Sequence, residues 1–305
     1  MANLVSVIIP THNRTEYLSE VIESVLSQTV SALEIVVVDD GSEERHVDKL
    51  LEISQMHEII HLFRLEENKG VSHARNFGVK QAKGDIIVFL DDDDLLHEAM
   101  IENGLNTFES NPDINVVLAG GELLYQDLTI PDQLEKYASM NSQRRIHLLE
   151  NQNYSAMYFI LFGMFLTNSL MFRKKVLVEF PFDEELRIGE DTFQWMYLKK
   201  NGVIFKKIST AGGIYRNHTG QVSNSQGVDL KKKTYLKKSL NLLSGFEREV
   251  FVLMNYSLLC ATGLIQRKNW IQLLMGAPKA FVYHKWFMLG NRAERMLYNF
   301  RVVKI

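Results

Sequence analysis

DIIVFLDDDDLL, residues 85–96, joins an uninterrupted apolar run to four consecutive aspartates. The apolar part shows no polar alternation, which is typical of a strand buried on both faces of a sheet. Like charges as close as Asp91 to Asp94 repel, by up to about 1 kcal/mol per pair even in water. A folded chain that keeps these carboxylates together at a strand end has either a solvated acidic turn or a site that uses negative charge there.

Two earlier apolar runs end in polar residues in the same way, VIIPTHN at 7–13 and VVVDDGS at 36–42. Strands are predicted at 4–9, 33–38, 59–65 and 85–90, and amphipathic helices at 11–28 and 71–82. Strands of this kind alternating with helices predict an α/β fold, a Rossmann-like, mostly parallel sheet flanked by helices. Ligands bind outside the carboxyl ends of the strands in such sheets.

The second half of the chain is less regular between about 120 and 180. We predict a strand running into a helix over 167–177, a helix over 189–202 and a strand over 203–208. After Ser225 the pattern changes to long helical stretches. The sequence therefore predicts two parts, a body at 1–225 that carries the sites and a basic, helical C-terminal appendage at 226–305.

The charge of the chain is divided unevenly between those parts. The net charge of −3 combines −13 over residues 1–225 with +10 over residues 226–305. The basic part also interleaves aromatic residues with Lys and Arg, a mixture that suits an anionic membrane surface. Two alternatives stay open, in which the C-terminal helices pack on the body or pair two subunits as a homodimer.

Composition limits the class of protein. Hydrophobic residues make up 46% and charged residues 23% of the 305 residues, so the chain should fold around a core. Cys260 is the only cysteine, which excludes an internal disulfide and fits a reducing compartment. No secretory signal or apolar span of about 20 residues is present. We expect a cytoplasmic protein, with peripheral attachment to the inner face of the cell membrane left open.

The Asp cluster has a functional and a structural interpretation. Carboxylates that repel one another become favourable around a divalent cation, and Mg²⁺ typically takes one or two carboxylates together with phosphate oxygens. A solvated acidic turn or helix N-cap is the structural alternative. Asp39 and Asp40 end another strand, either as ordinary turn residues or as acceptors for ribose hydroxyls. The absence of a G-x-G-x-x-G after the first strand argues against a dinucleotide oxidoreductase.

Two later positions could also carry chemistry. Glu190 and Asp191 open the helix predicted at 189–202, where acidic residues are favoured by the helix dipole but where a rigidly held carboxylate could act as a general base. His218 lies in GIYRNHTG and could be structural or could bind a metal or a phosphate.

These segments together resemble the family-2 inverting glycosyltransferases of the GT-A fold. The resemblance is carried by VSVIIPTHNR, VVVDDGS, ENKGVSHARNFGVKQAKGDIIVFLDDDD, GEDTFQW and the Tyr-Arg-x-His stretch at 215–218, in that order. It covers about residues 3–220. Each piece is weak alone, whereas the combination is specific.

The resemblance implies roles for individual residues. The nucleoside would be held by Pro10, Thr11, Asn13, Arg14 and Asp40, with Asp39 assisting and Arg75 near the nucleotide. The D-x-D motif falls on Asp91, Asp92 and Asp93, in which Asp91 would face the ribose and the metal and Asp93 would be the main ligand of Mn²⁺ or Mg²⁺. A register of Asp92-x-Asp94 stays open. His218 would lie near the metal and the diphosphate, Asp191 beside Glu190 would be the base, and Asn168 and Ser169 would line the acceptor side.

The expected activity is transfer of a hexosyl or N-acetylhexosaminyl group, with inversion, from a nucleotide-sugar donor, commonly a UDP-sugar. The acceptor would be a saccharide or a lipid-linked saccharide in surface polysaccharide or glycan synthesis, and no nucleic-acid partner is expected. The alternative is a non-catalytic nucleotide-sugar or glycan binding module. A haloacid-dehalogenase-type phosphatase is disfavoured because its Asp motif belongs near the first strand. A sugar nucleotidyltransferase is disfavoured because PTHNR is not a Gly-rich loop.

Overall fold

The computed structural model of the chain describes residues 4–125, 166–217, 228–255 and 300–303. The predictions made for His218, for most of the irregular middle segment and for the aromatic part of the C-terminal tail lie outside these residues.

Within those ranges, nine strands form one mixed sheet in the order β3-β2-β1-β4-β7-β6-β8-β5, and β9 also pairs with β6. The strands are β1 (Val5–Thr11), β2 (Glu34–Asp39), β3 (Ile60–Arg64), β4 (Ile86–Phe89), β5 (Leu95–Leu96), β6 (Val116–Tyr125), β7 (Leu170–Arg173), β8 (Phe205–Asn217) and β9 (Phe300–Val303). The pairs β1–β2, β2–β3, β1–β4, β6–β8 and β6–β9 are parallel. The pairs β4–β7, β6–β7 and β5–β8 are antiparallel. The predicted mostly parallel α/β sheet is confirmed.

Helices connect and cover these strands. They are α1 (Leu18–Leu26), α2 (Glu44–Ser54), α3 (Val71–Gln81), α4 (Met100–Ser110), α5 (Lys174–Glu179), α6 (Glu190–Lys200), α7 (Val228–Leu242) and α8 (Gly245–Met254). A single 3₁₀ turn, Thr167–Ser169, precedes β7. None of the helices in the described residues is long and apolar enough to cross a membrane.

Most predicted elements are confirmed, and two boundaries are wrong. The helix predicted from residue 11 begins at Leu18, because β1 continues to Thr11 and Asn13 turns the chain with a φ of 55°. The strand predicted over 203–208 runs on to Asn217. Strand β6 was not predicted, and its pairing with β8 shifts register around Gly120.

Alternate residues of the central strands point into two apolar clusters, one on each face of the sheet. Ile8, Val36 and Phe89 belong to one cluster, which α3 and α5 to α8 cover. Their neighbours Val7 and Val37 belong to the other, which α1, α2 and α4 cover. Successive side chains of a strand point to opposite faces, so burial on both faces explains the lack of polar alternation in the sequence.

The strand order sets the position of the site. β1 lies between β2 and β4, with β2 and β3 on one side and the later strands on the other. In a sheet whose strand order reverses in this way, ligands bind at the carboxyl ends of the two strands beside the reversal, here β1 and β4. Here those ends carry Arg14, just beyond β1, and Asp91 to Asp94, just beyond β4.

Candidate active site

The four aspartates that follow β4 lie in different surroundings. The side chain of Asp91 is 35% exposed and that of Asp93 is 9% exposed. The side chain of Asp92 is completely buried, and Asp94 is also buried. Asp91 is therefore the most accessible of the four, and the register of the motif, Asp91-x-Asp93 or Asp92-x-Asp94, remains a prediction.

Arg14 offsets the charge of two of these acids. Its Nη1 donates to Oδ2 of Asp93 at 2.7 Å, and its Nη2 forms an ion pair with Asp92. Burial raises the pKa of Asp92 to about 7, and the guanidinium of Arg14 opposes part of that rise. Arg14 thus provides part of the positive charge that four adjacent carboxylates require.

Arg75, on α3, is a buried cation between two acidic groups. Its Nη2 donates to Oδ1 of Asp91 at 2.8 Å, and its Nη1 donates to Oε1 of Glu190 at 3.1 Å. Its guanidinium carbon lies 5.4 Å from the ring centroid of Phe182 and 5.9 Å from that of Phe89. One guanidinium therefore connects the aspartates after β4 with the acids that begin α6.

The segment before α6 is fixed to α3 by Asn76. Its Nδ2 donates to the carbonyl of Phe182 at 2.9 Å, and its Oδ1 accepts the backbone N–H of Phe182 at 2.9 Å. Gly189 then adopts a φ of 70°, a conformation that glycine reaches without a steric penalty. Glu190 and Asp191 follow as the first residues of the helix, so the backbone holds both acids at a defined place.

Both of these acids bind a proton more readily than usual. Burial and the charge of Asp191 raise the pKa of Glu190 to about 7, and Arg75 opposes the rise. Burial also raises the pKa of Asp191, whose Oδ1 accepts the N–H of Thr192 at 2.5 Å. A carboxylate with a raised pKa is a stronger base, which suits it to take a proton from a hydroxyl group.

The side chain of Asp94 links three segments of the backbone around the site. Its Oδ1 accepts the backbone N–H of Arg216 at 3.0 Å, and its Oδ2 accepts Nδ2 of Asn168 at 3.1 Å. Arg216 also donates through Nε to the carbonyl of Asp93 at 2.9 Å and through Nη2 to Glu20 at 2.7 Å. Burial raises the pKa of Asp94 well above its usual value. The fourth aspartate thus joins the end of β4 to β8 and to the turn before β7.

The acids at the end of β2 hold neighbouring loops in place. Asp39 accepts the N–H of Ser42 at 2.9 Å and Nε of Arg64 at 3.0 Å. Asp40 accepts the two backbone N–H groups of residues 69–70 at 3.0 and 2.7 Å. These contacts fix the loop that leads into α3, and therefore the start of the helix that carries the buried arginine.

Asn13 links the loops after β1 and β2. Its backbone N–H donates to Oγ of Ser42 at 2.8 Å, and its Oδ1 accepts the N–H of Glu43 at 2.8 Å. Pro10 and Thr11 complete β1 beside the end of β2. Pro10, Thr11, Asn13, Asp39 and Asp40, which were predicted to hold a nucleoside, therefore lie together at the carboxyl ends of β1 and β2.

Three functional neighbours were not predicted from the sequence. Asn76 fixes the segment before α6, Arg216 fixes the aspartate motif, and Tyr235 of α7 faces Gly189. In the Tyr-Arg-x-His stretch a role was predicted for His218 alone, and Arg216 of that stretch contacts the motif through the carbonyl of Asp93. No local pattern in the sequence marks the other two.

Metal binding by this site remains a prediction. Among the described residues, no group of three or more His, Cys, Asp or Glu side chains is arranged to hold a metal ion. Asp91 and Asp93 supply the oxygen ligands that Mg²⁺ and Mn²⁺ prefer, and each is paired with an arginine here. The third predicted ligand, His218, lies outside the described residues.

The fold defines a class of protein, the GT-A type of α/β protein. The four aspartates lie just beyond the carboxyl end of β4, the strand that pairs with β1. The family model described as "Glycosyl transferase family 2" matches residues 6–176, more than half of the chain. The protein therefore belongs to glycosyl transferase family 2.

Individual relatives agree with that assignment. An uncharacterized glycosyltransferase of Rickettsia typhi is 31% identical over 211 residues, which cover 66% of this chain and 61% of the relative. The minor teichoic acid biosynthesis protein GgaB of Bacillus subtilis is 26% identical over 260 residues, covering 82% of this chain and 28% of GgaB. The chain thus spans less than two thirds of the length of these relatives.

A solved structure shares the fold. The structure of S. aureus TarS 1-349 in complex with UDP-GlcNAc superposes with a TM-score of 0.63 over 97% of this chain and 90% of that one, at 19% sequence identity. The likeness extends beyond the segment that the family model matches, into the part that carries Glu190 and Asp191.

Proposed function

We propose that the protein is an inverting glycosyltransferase that moves a sugar from a nucleotide-diphosphate donor, a UDP-sugar, to a hydroxyl of a saccharide or lipid-linked saccharide. The product would belong to a surface polysaccharide or glycan. The hexosyl or N-acetylhexosaminyl nature of the sugar is part of this proposal.

The observation that carries the proposal is the pair of contacts made by Arg75. One buried guanidinium reaches both Asp91, on the side predicted for the donor, and Glu190, next to the predicted base. A transferase needs both sites close together, because the acceptor oxygen must approach the anomeric carbon while the diphosphate leaves on the opposite side. A binding module needs no base, so the joined acids favour an enzyme.

A structural neighbour supports a uridine nucleotide as donor, and a sequence relative supports a cell-surface polymer as product. TarS has been crystallised with UDP and with UDP-GlcNAc, and GgaB is named for teichoic acid biosynthesis. We infer by analogy a uridine nucleotide donor and an acceptor from a cell-surface polymer pathway. Pro10, Thr11, Asn13 and Arg14, with Asp39 and Asp40 of β2, would surround the nucleoside.

Asp191 is the proposed base. It lies in the first turn of α6, and its raised pKa makes its carboxylate a better acceptor for the hydroxyl proton. Deprotonation in concert with attack from the face opposite the nucleotide would give an inverted anomeric centre. Glu190, held by Arg75, would keep the start of the helix in place and add negative charge beside the base.

The departing diphosphate carries negative charge that the site must offset. Asp93 and Asp91, with His218, would hold Mg²⁺ or Mn²⁺, which when bound would supply that positive charge. The side chain of Arg14, which is 31% exposed and pairs with Asp93, would contribute further positive charge beside the diphosphate.

The test is the variant Asp191→Asn, which keeps the size of the side chain and removes its basicity. We expect turnover to fall by about 10²- to 10⁴-fold, the usual contribution of general base catalysis, while UDP affinity measured by calorimetry stays within about twofold of wild type. Asp85→Asn, an exposed aspartate at the opposite end of β4, is the matched control. Wild-type turnover in Asp191→Asn would show that the proposed base is wrong.

A screen separates the enzyme from the binding module. Thermal shifts measured with a panel of nucleotide-sugars, with and without Mn²⁺, should identify the donor, because a ligand that binds only the folded protein raises its stability. Slow hydrolysis of that donor should then be detectable. A protein that binds a nucleotide-sugar tightly but neither hydrolyses it nor transfers its sugar to any acceptor would support the binding module instead.

A further inference from the structure

Helix α7 brings a residue from the basic C-terminal part of the chain to the proposed base. Leu236 of α7 is completely buried in the apolar cluster that also contains residues of α6. Lys238 pairs with Asp183 at 2.5 Å and with Glu185 at 2.6 Å, two acids of the segment that leads into α6. Helix α7 is therefore anchored on the same segment that positions Glu190 and Asp191.

The contact next to the base is made by Tyr235. A Cβ atom placed on Gly189 would lie 2.9 Å from Cδ2 and 3.1 Å from Cε2 of that tyrosine. The aromatic ring thus fills the space that any side chain at position 189 would occupy, one residue before Glu190 and two before Asp191. Gly189 is required both for this close approach and for its φ of 70°.

The ring of Tyr235 also contacts helix α8. Phe251 of α8 packs edge-on against it, with ring centroids 6.1 Å apart and an interplanar angle of 61°. Helix α8 is tied to the far end of α6 by the ion pair of Lys200 with Glu247, at 3.0 Å. Burial and the charge of Asp191 raise the pKa of Tyr235, which agrees with a neutral phenol close to that carboxylate.

We propose that Tyr235 is a positioning residue of the active site, whose ring fixes the backbone at Gly189 and so holds Asp191 in place. The inference rests on the proposed function, because it assigns Asp191 the role of base. It makes α7, which lies beyond the segment matched by the family model, part of the catalytic machinery. Displacement of a reacting group by about 1 Å can slow a reaction about a hundredfold, so loss of the ring should act chiefly on kcat.

The experiment compares Tyr235→Ala with Tyr235→Phe in the full chain. Tyr235→Ala should lower kcat for transfer by about tenfold to a hundredfold, with the KM for the nucleotide-sugar and the affinity for UDP within about twofold of wild type. Tyr235→Phe keeps the ring and should restore kcat. Tyr197→Ala is the matched control, since that tyrosine of α6 packs against Phe193 of the same helix and against Phe180 at the end of α5, and the atoms nearest to a Cβ at Gly189 belong to Tyr235.

The outcomes distinguish failure of the positioning role of Tyr235 from failure of the proposed function. A wild-type kcat in Tyr235→Ala, or an equal loss in Tyr197→Ala, would overturn the positioning role. A loss in Tyr235→Phe as large as in Tyr235→Ala would also overturn it, because the hydroxyl and not the ring would then be needed. If Asp191→Asn keeps full turnover, the proposed base fails whatever the tyrosine variants show.

Discussion

Replacing the buried cation Arg75 by methionine tests the central feature of the site. The substitution keeps an unbranched side chain of similar length and removes the charge. Asp91 and Glu190 would lose their shared partner, and the side chain of Glu190 is only 13% exposed. A carboxylate left in such a place without a partner must either stay charged at a high free energy or bind a proton.

The size of the effect follows from these contacts. Breaking a buried ion pair by removing one partner typically destabilises a protein by about 3–5 kcal/mol. Asp91, with a side chain that is 35% exposed, can be hydrated after the change, so we expect a loss near the lower value, about 3 kcal/mol. The contacts of the guanidinium with Phe182 and Phe89 contribute to the same loss, because methionine carries no charge to place against the rings.

Equilibrium denaturation followed by circular dichroism would measure this loss. Arg45→Met is the matched control, since Arg45 pairs with Glu43 at the surface and is 71% exposed, and it should change the free energy of unfolding by less than about 1 kcal/mol. The double variant Arg75→Met/Glu190→Gln should recover part of the loss, because it removes the stranded charge. The loss should also be smaller at about pH 5 than at about pH 8, because Glu190 is protonated at the lower pH.

A loss below about 1 kcal/mol at pH 8, the value of a surface pair, would refute the argument that Arg75 neutralises both acids. So would a double variant that is less stable than Arg75→Met alone.

Three further predictions concern other parts of the molecule. Burial raises the pKa values of Asp92 and Glu190 to about 7, so between about pH 4 and pH 7 the folded protein retains protons that the unfolded chain releases. The free energy of unfolding should therefore fall over that pH range, by up to about 3 kcal/mol per group. A free energy of unfolding that rises over the same range in denaturation experiments would contradict this prediction. Arg14→Met should tighten Mn²⁺ binding without nucleotide by about tenfold in calorimetry, the factor that 1.4 kcal/mol gives, because the guanidinium no longer competes for Asp93; unchanged or weaker binding would argue against that competition. Gly78→Ala should lower the free energy of unfolding by about 1–2 kcal/mol through overpacking, since the added Cβ would lie 2.4 Å from Cγ2 of the buried Ile8, and an unchanged denaturation midpoint would show that α3 can move away from β1.

The sequence predicted the elements whose own residues decide their structure. The inner residues of β1 and β2, at 7–9 and 35–38, and all of β4 are apolar, and both faces of these strands are buried as that pattern requires. Strand β6 was missed because Gly120 and Gly121 interrupt its apolar pattern, and its irregular register with β8 shows the same interruption. The helix predicted from residue 11 begins later because Asn13 has a positive φ. The spacing of apolar residues along the sequence does not reveal a positive φ.

The charges of the site were predicted, but their partners were not. Asp91 and Asp93 were expected to meet a metal ion, and the described structure pairs them with Arg75 and Arg14. Arg14 lies 79 positions from Asp93 in the chain, a separation at which local patterns carry no information. The Asp91-x-Asp93 register of the motif remains a prediction. The contacts of Asp94 depend on Arg216 of β8, a strand whose length was not predicted.

The packing of α7 and α8 on α6 has a practical consequence for dividing this chain into fragments. Leu236, Leu243 and Phe251 are buried among residues of the body, so a fragment ending at residue 225 would expose an apolar surface near the proposed base. Such a fragment should be recovered mainly as insoluble aggregate. Chimaeras that exchange C-terminal portions with relatives should therefore be joined after Asn255 rather than before Val228.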